Sequence, residues 1–425
     1  MHPYFGFVLG SVAVLAWLPA TAAPSGLPQQ RVPLPFGVNI HFTDPKPGEI
    51  EQLAAGGFKF VRMDFVWSSV EREKGVYDFS AYDRLMKALD QYKIRPLFIL
   101  DYSNRLYESE HSVRTAEGRK AFAAFAAAAA KRYAGRGVLW EIWNEPNIEP
   151  FWRPQPSAED YAALAIETAR AIRKADPKAT ILAPASSGFP WEFFETIFKR
   201  GLLNEIDAVS VHPYRQEAPE TAGADYARLR ELIAKYAPAG KKIPIVSGEW
   251  GYSLCYRYAG QRVSPELQAQ FLVRQWLFNM AEGVLLSIWY DWRDDGPDPN
   301  ETEHNFGTIT YDYKPKPAYI AAQTLTRELN GYTLRKRLET PSPSDYVLVF
   351  VKGSDVKLAA WTTGEKHTLQ IPAVADSTVV VSMLGNRSTI HAQGTGRSKT
   401  YTIELSGSPI YIELPGAARR KPWTK

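Results

Sequence analysis

The sequence has one cysteine, Cys255, in 425 residues. That excludes a disulfide framework and any cysteine-built zinc site. It has no H-E-x-x-H pattern, and its seven histidines are scattered. An excess of one charge is also missing. The 50 Lys and Arg against 46 Asp and Glu leave +4, too little to argue for a nucleic-acid partner. No apolar run reaches the ~20 residues of a membrane span. No glycine-rich turn follows an early strand-like run, which counts against an open dinucleotide-binding sheet.

What is present is an ordinary globular balance, 45% hydrophobic and 23% charged, in a chain long enough for two or three domains. Aromatics make up 13%, with twelve tryptophans. So many indoles suggest that some line a surface. At the N-terminus, the uncharged apolar run Tyr4–Leu18 is followed by Ala20-Thr21-Ala22-Ala23. That reads as a secretory signal peptide over residues 1–23, or, since no Lys or Arg precedes the run, as a membrane anchor. Either reading exports the rest of the chain, to the periplasm or beyond.

From Phe36 onward, short apolar runs alternate with amphipathic segments. The runs are Phe36–Phe42, Phe58–Phe65, Arg95–Asp101, Val138–Trp143, Thr180–Pro184, Ala208–His212, Ile243–Glu249 and Val284–Trp289. Near-continuous apolar runs mark strands buried on both faces. Helix signals lie between them: Ser80–Tyr92, Lys120–Tyr133, a capping box at Ser157 opening a helix to Lys174, Asp225–Tyr236, a helix opened by Ser264-Pro265, and Pro317–Leu329. Eight strands with helices between them predict a (β/α)₈ TIM barrel over residues 34–331. From Tyr332 the period becomes two, which predicts a C-terminal all-β sandwich over 332–416, before a basic tail at 417–425.

In such a barrel the chemistry sits at the C-terminal strand ends. Strand four ends Glu141-Ile142-Trp143-Asn144-Glu145-Pro146, and strand seven ends Gly248-Glu249-Trp250. The two ends face each other across the ring. Two facing carboxylates among aromatics suit glycoside hydrolysis, one donating a proton and one attacking the anomeric carbon.

These motifs resemble those of clan A glycoside hydrolases, with the pattern of family 39. Within it they resemble the exported endoglycosidases of bacterial exopolysaccharide (biofilm matrix) pathways. The resemblance implies that Glu145 is the acid/base and Glu249 the nucleophile of a retaining double displacement. It implies that Asn144 bonds the sugar 2-hydroxyl and that Arg62 holds Glu249 ionised. It further implies that His212 and Tyr214 line the site and that Trp289 is the platform beneath the sugar.

His41, after strand one, and Trp250 are further candidate substrate contacts, and Asp101 and Tyr102 stand in a similar place. Trp67, Trp152, Tyr252, Tyr256 and Trp292 follow strand ends and are candidates for further subsites. Glu141, four positions before Glu145, falls on the same face but deeper, and reads as structural. Asp291, Asp294 and Asp295 read as a polar loop, so no metal is expected. Cys255 reads as a buried free thiol. Trp361 and Tyr346 of the sandwich read as core or as sugar contacts.

The expectation is a retaining glycoside hydrolase without a cofactor, monomeric, cutting a bacterial exopolysaccharide internally. The alternatives are an exo-acting β-glycosidase such as a β-xylosidase, a transglycosylase, and a non-catalytic carbohydrate-binding scaffold of a polysaccharide export system. Membrane association would come through the N-terminus.

Overall fold

The computed structural model describes residues 26–395, 398–417 and Trp423. The leader read at 1–23 lies outside the described residues, as does the basic tail apart from Ala417 and Trp423.

Eight parallel strands close into a ring: β1 (Phe36–Asn39), β2 (Phe60–Val66), β3 (Arg95–Asp101), β4 (Leu139–Ile142), β5 (Thr180–Ser187), β6 (Ala208–His212), β7 (Ile245–Trp250) and β8 (Ser287–Trp289). β8 pairs with β1 and completes the circle. Alternate residues of each strand face in or out. Phe60, Leu97, Leu139, Leu182, Val246 and Ile288 face in and fill the base, and Leu27 plugs it from below. Burying each of these side chains contributes about 1.5–3 kcal/mol.

One main helix follows each strand: α1 (Glu49–Ala55), α2 (Ser80–Tyr92), α3 (Ala116–Arg132), α4 (Ala158–Ala175), α5 (Trp191–Lys199), α6 (Gly223–Tyr236), α7 (Pro265–Ala281) and α8 (Pro317–Glu328). Side-chain caps set three of the starts. Thr115 accepts from the Gly118 amide, Ser157 from that of Asp160, and Ser264 from that of Leu267. Outward-facing strand residues pack under these helices, as where Phe36 stacks on Trp276 at 4.4 Å.

Beyond α8 the chain is antiparallel. β9 (Thr333–Arg337), β10 (Asp345–Lys352), β11 (Asp355–Thr362), β13 (Ser377–Val381), β14 (Arg387–His391) and β16 (Ile410–Leu414) form one sheet, in the order β9-β10-β11-β16-β13-β14. β12 (His367–Pro372) pairs with β15 (Thr400–Leu405). The sheet leans on the barrel through Tyr346, which stacks on Trp361 at 4.8 Å and meets Phe278 edge-on. The Trp361 indole N–H donates to Glu220 at 2.7 Å, and Glu220 is also paired with Arg274. Both rings therefore join the sheet to the barrel.

Candidate active site

At the C-terminal strand ends the inward residues turn polar. Arg62 on β2 is the hub and is 1% exposed. Its Nε donates to Glu141 at 2.7 Å and its Nη1 to Asn39 at 3.3 Å. Its Nη2 donates to Asn144 at 2.8 Å, and its Nη1 also donates to Glu249. Burial works against its charge, but Glu141 and Glu249 outweigh that and push its pKa further up. Glu141 is fully buried and also accepts from Ser210, so it supports the hub from below as its position predicted.

The two glutamates reach the mouth by different backbone devices. Just after β4, Trp143 (φ 70°) and Glu145 (φ 46°) both take left-handed backbone conformations on either side of Asn144. These are costly for residues with a Cβ and persist only where surroundings hold them. Here the Glu145 amide donates to Ala185 and the Trp143 indole to Phe151. On β7 a bulge sets Gly248 and Glu249 opposite one residue of β8, since Ser247 pairs with Ser287 and Trp250 with Trp289. A Cβ on Gly248 would lie 2.3 Å from the Ser210 hydroxyl, so only glycine fits there.

A carboxylate oxygen of Glu145 and one of Glu249 lie within 4.8 Å of each other. The Tyr214 hydroxyl donates to Glu249 Oε1 at 2.8 Å. Burial, with Glu249 beside it, drives the Tyr214 pKa well up, so it is a donor. His212 Nδ1 sits 2.8 Å from Glu145 Oε1, and its Nε2 sits 3.2 Å from Arg62 Nη2. A guanidinium only donates, so Nε2 holds a lone pair and Nδ1 carries the proton. His212 is therefore a neutral imidazole donating to Glu145. Asn144 spends its Oδ1 on Arg62, and its amide N–H side adjoins the Tyr102 hydroxyl.

Two expected contacts are corrected. Trp289 is fully buried, with its indole donating to Phe306 and packed beside Tyr252. It cannot be a sugar platform. Alternation explains it: Ile288 faces in, so Trp289 faces out and Tyr290 faces in. Tyr290 is the half-open ring at the mouth, edge-on to His41 at 5.6 Å, with its hydroxyl donating to Glu303 at 3.1 Å. Burial pushes its pKa up, with Asp291 and Glu249 adding to it. Trp250 is likewise fully buried, because the bulge that brings Glu249 inward turns the next residue outward.

The wider aromatic expectation meets the same burial. Trp67, Trp152, Tyr252 and Trp292 are core, and ten of the eleven described tryptophans are at most 1% exposed. Tyr256 is half-open. The rings that do reach the mouth include Tyr102, stacked with Phe151, and Phe189, stacked with Trp191.

His41 lies beside Tyr290, with an imidazole 39% exposed and 3.3 Å from Asp291. Burial lowers its pKa, but the Asp291 carboxylate more than offsets that and raises it to about 9. Burial raises Asp291 to about 7, against the pull of His41. Asp101 is fully buried and pushed well up by burial and then by Asp64. His41, Asp291 and Asp295 each offer a ligand atom within 4.8 Å of the others, so the described residues do bring together one metal-capable group beside the mouth. Asp294 is not part of it, being paired with Lys316 at 2.9 Å. Glu145, His212 and Glu249 have similar spacing, but both His212 nitrogens are taken and a guanidinium adjoins them. Cys255 is half-buried, with Sγ 3.4 Å from the Pro299 carbonyl.

Tyr290, Asn39, Ser210 and Asp291 are the site residues the sequence reading missed. Period two, counted on from Ile288, would have found Tyr290.

Known proteins share the family and the fold. The family described as Cellulase (glycosyl hydrolase family 5) matches residues 29–295. A β-xylosidase of Caldicellulosiruptor saccharolyticus is 26% identical over 226 residues, 49% of this chain and 45% of its own length. The chain thus spans less than half of that relative. A family 39 glycoside hydrolase from the gut symbiont Bacteroides cellulosilyticus superposes with a TM-score of 0.77 at 25% identity, over 90% of this chain and 81% of that one. A family 39 β-xylosidase from Caulobacter crescentus shares the fold, with a TM-score of 0.67 at 19% identity, over 92% of this chain and 97% of that one.

Proposed function

Because the chain belongs to the cellulase family, glycosyl hydrolase family 5, within clan A and with a family 39-like fold, we propose that it is a retaining glycoside hydrolase. The observation that carries the reading is the separation of the two carboxylates, within 4.8 Å at their nearest oxygens. Retaining enzymes hold this pair about 5–5.5 Å apart, whereas inverting ones leave about 6.5–9.5 Å for a water.

In the first step Glu249 attacks the anomeric carbon while Glu145 gives its proton to the leaving oxygen. The glycosidic C–O bond breaks and an ester to Glu249 forms. In the second step Glu145 takes a proton from water, the water oxygen attacks the same carbon, and Glu249 leaves as carboxylate. The two inversions give net retention. Arg62 and Tyr214 hold the two oxygens of Glu249 through both steps, and His212 orients Glu145.

The substrate we propose is a bacterial exopolysaccharide, cut internally by an exported enzyme. Ring pairs in the loops after β3, β4 and β5, Tyr102 with Phe151 and Phe189 with Trp191, support more than one sugar site. The second reading is an exo-acting β-xylosidase, favoured by the relatives that bear that name.

Mass analysis of products from a polysaccharide panel, with Glu145→Gln as control, separates the two. Oligosaccharides absent from the control support internal cutting, and single sugars alone support the exo reading. A variant that kept normal turnover on an unactivated polymer would overturn the acid/base assignment.

A further inference from the structure

The end of the barrel opposite the catalytic mouth has its own chemistry. Between the lead into β1, the turn before β2 and the end of α8 lies a cavity of about 620 Å³. Arg31, Lys59 and Arg327 line it, together with Pro33, Thr326 and Asn330, and no carboxylate does. The Arg31 and Lys59 side chains have no hydrogen-bond or ionic partner among the described residues, whereas Arg327 is shared with Glu328 at 3.2 Å.

The surrounding face has the same sign. The lead 26–35 and the turns that enter β2 to β8 carry eight cations and four acids. Three of those acids are already paired, Asp207 with Arg173, Glu205 with Arg170 and Glu282 with Arg230. The mouth is the reverse: the loop 290–316 alone carries seven acids and three cations.

The chain enters the described structure on this same basic face. The Gly26 carbonyl accepts from Arg95 at the start of β3, and Leu27 plugs the base. The residues ahead of Gly26 include the apolar run Tyr4–Leu18.

We propose that the base of the barrel docks on an anionic phospholipid surface, with phosphate headgroups at the Arg31–Lys59 cavity, so that the catalytic mouth faces away from the bilayer. Cations near such a surface each strengthen binding roughly fivefold, within a Debye length of about 8–10 Å. The chain ahead of Gly26, whose sequence includes an apolar run, joins the barrel on this face. The seven acids of the mouth loop favour the same orientation by repulsion. The inference stands independently of the glycosidase reading.

The test uses the full chain with vesicles of phosphatidylcholine alone, or of an equimolar mixture with phosphatidylglycerol. Amine acylation, mapped by peptide mass, reads which face is covered. On the anionic vesicles Lys59, Lys93 and Lys242 lose reactivity while Lys74 and Lys314 keep it. The double variant Arg31→Glu, Lys59→Glu loses the preference for anionic vesicles by roughly tenfold or more, and the corresponding double Gln variant loses part of it. Protection of Lys74 or Lys314 instead, equal binding to both vesicles, or a double Glu variant with an unchanged preference would each overturn the docking. Binding of inorganic phosphate that Lys59→Glu abolishes, with no dependence on lipid composition, would assign the cavity to a soluble anion and overturn it as well.

Discussion

Two concentric regions at the barrel's mouth carry opposite chemistry on neighbouring residues. The inner ring holds Arg62, Glu141, Glu145, His212, Glu249 and Tyr290, joined mostly by charged hydrogen bonds. One residue along the chain, the outer ring holds Trp250 and Trp289, packed dry beneath the helices. The chain alternates between the two rings, so a single step in register exchanges catalysis for packing. Indole count therefore says little about sugar binding here, and position relative to the strand says nearly everything.

The largest effects belong to the inner ring. Glu249→Gln should lower kcat/KM by on the order of 10⁴–10⁶-fold, and labelling by a mechanism-based fluoro-sugar should disappear. Label found on any other residue of the wild type would break the inner assignment. Glu145→Gln should cost about 10²–10⁴-fold on an unactivated polymer and far less on an aryl glycoside whose leaving group needs no proton. Equal loss on both substrates would remove the acid role.

The sharpest comparison is between adjacent residues. Trp289→Ala should cost about 3–5 kcal/mol of stability, read by denaturant unfolding, with kcat/KM of the folded fraction little changed. Tyr290→Ala should leave stability nearly intact and lower kcat/KM by about tenfold. The opposite pattern would place the rings the other way round.

The smallest effect is electrostatic. His41 has a folded pKa near 9, above its unfolded value, so its contribution is present in full below about pH 6.5 and is lost as pH rises toward 9. Asp291, raised by burial to about 7, also loses stability as pH rises, from about 4 through 7. The contribution of the two groups to the melting temperature should therefore decline from about pH 4 to pH 9, and Asp291→Asn should flatten that decline. An unchanged slope would separate the two groups.

The sequence made the barrel legible because its strands are short apolar runs separated by capped helices, as at Ser157 and Ser264. The β9 and β14 strands were not legible, because they are largely exposed and carry Arg335, Lys336 and Arg387 in place of an apolar face. Short helices such as α1, with seven residues, gave too little periodicity to register. At the site, both glutamates and Arg62 stood out through motif and position. Trp289 and Trp250 were misread because residue type was weighed above alternation. In β7 the bulge breaks alternation itself, and no feature of Ser247-Gly248-Glu249 announces an extra residue except the glycine.

Leu27 precedes every barrel strand in the chain, yet its socket includes Ile288 of the last and Leu286 just before it. Gln30, three residues on, bonds the Leu285 carbonyl across 255 positions of sequence. The segment synthesised ahead of the barrel must therefore wait for its end before it can seat. Loop-closure entropy grows only slowly with such a span, so the delay costs little at equilibrium. Its weight falls on timing: until the eighth strand arrives, the barrel has no floor. A nascent chain halted before Leu286 should leave the seven earlier strands exchanging their amide hydrogens freely.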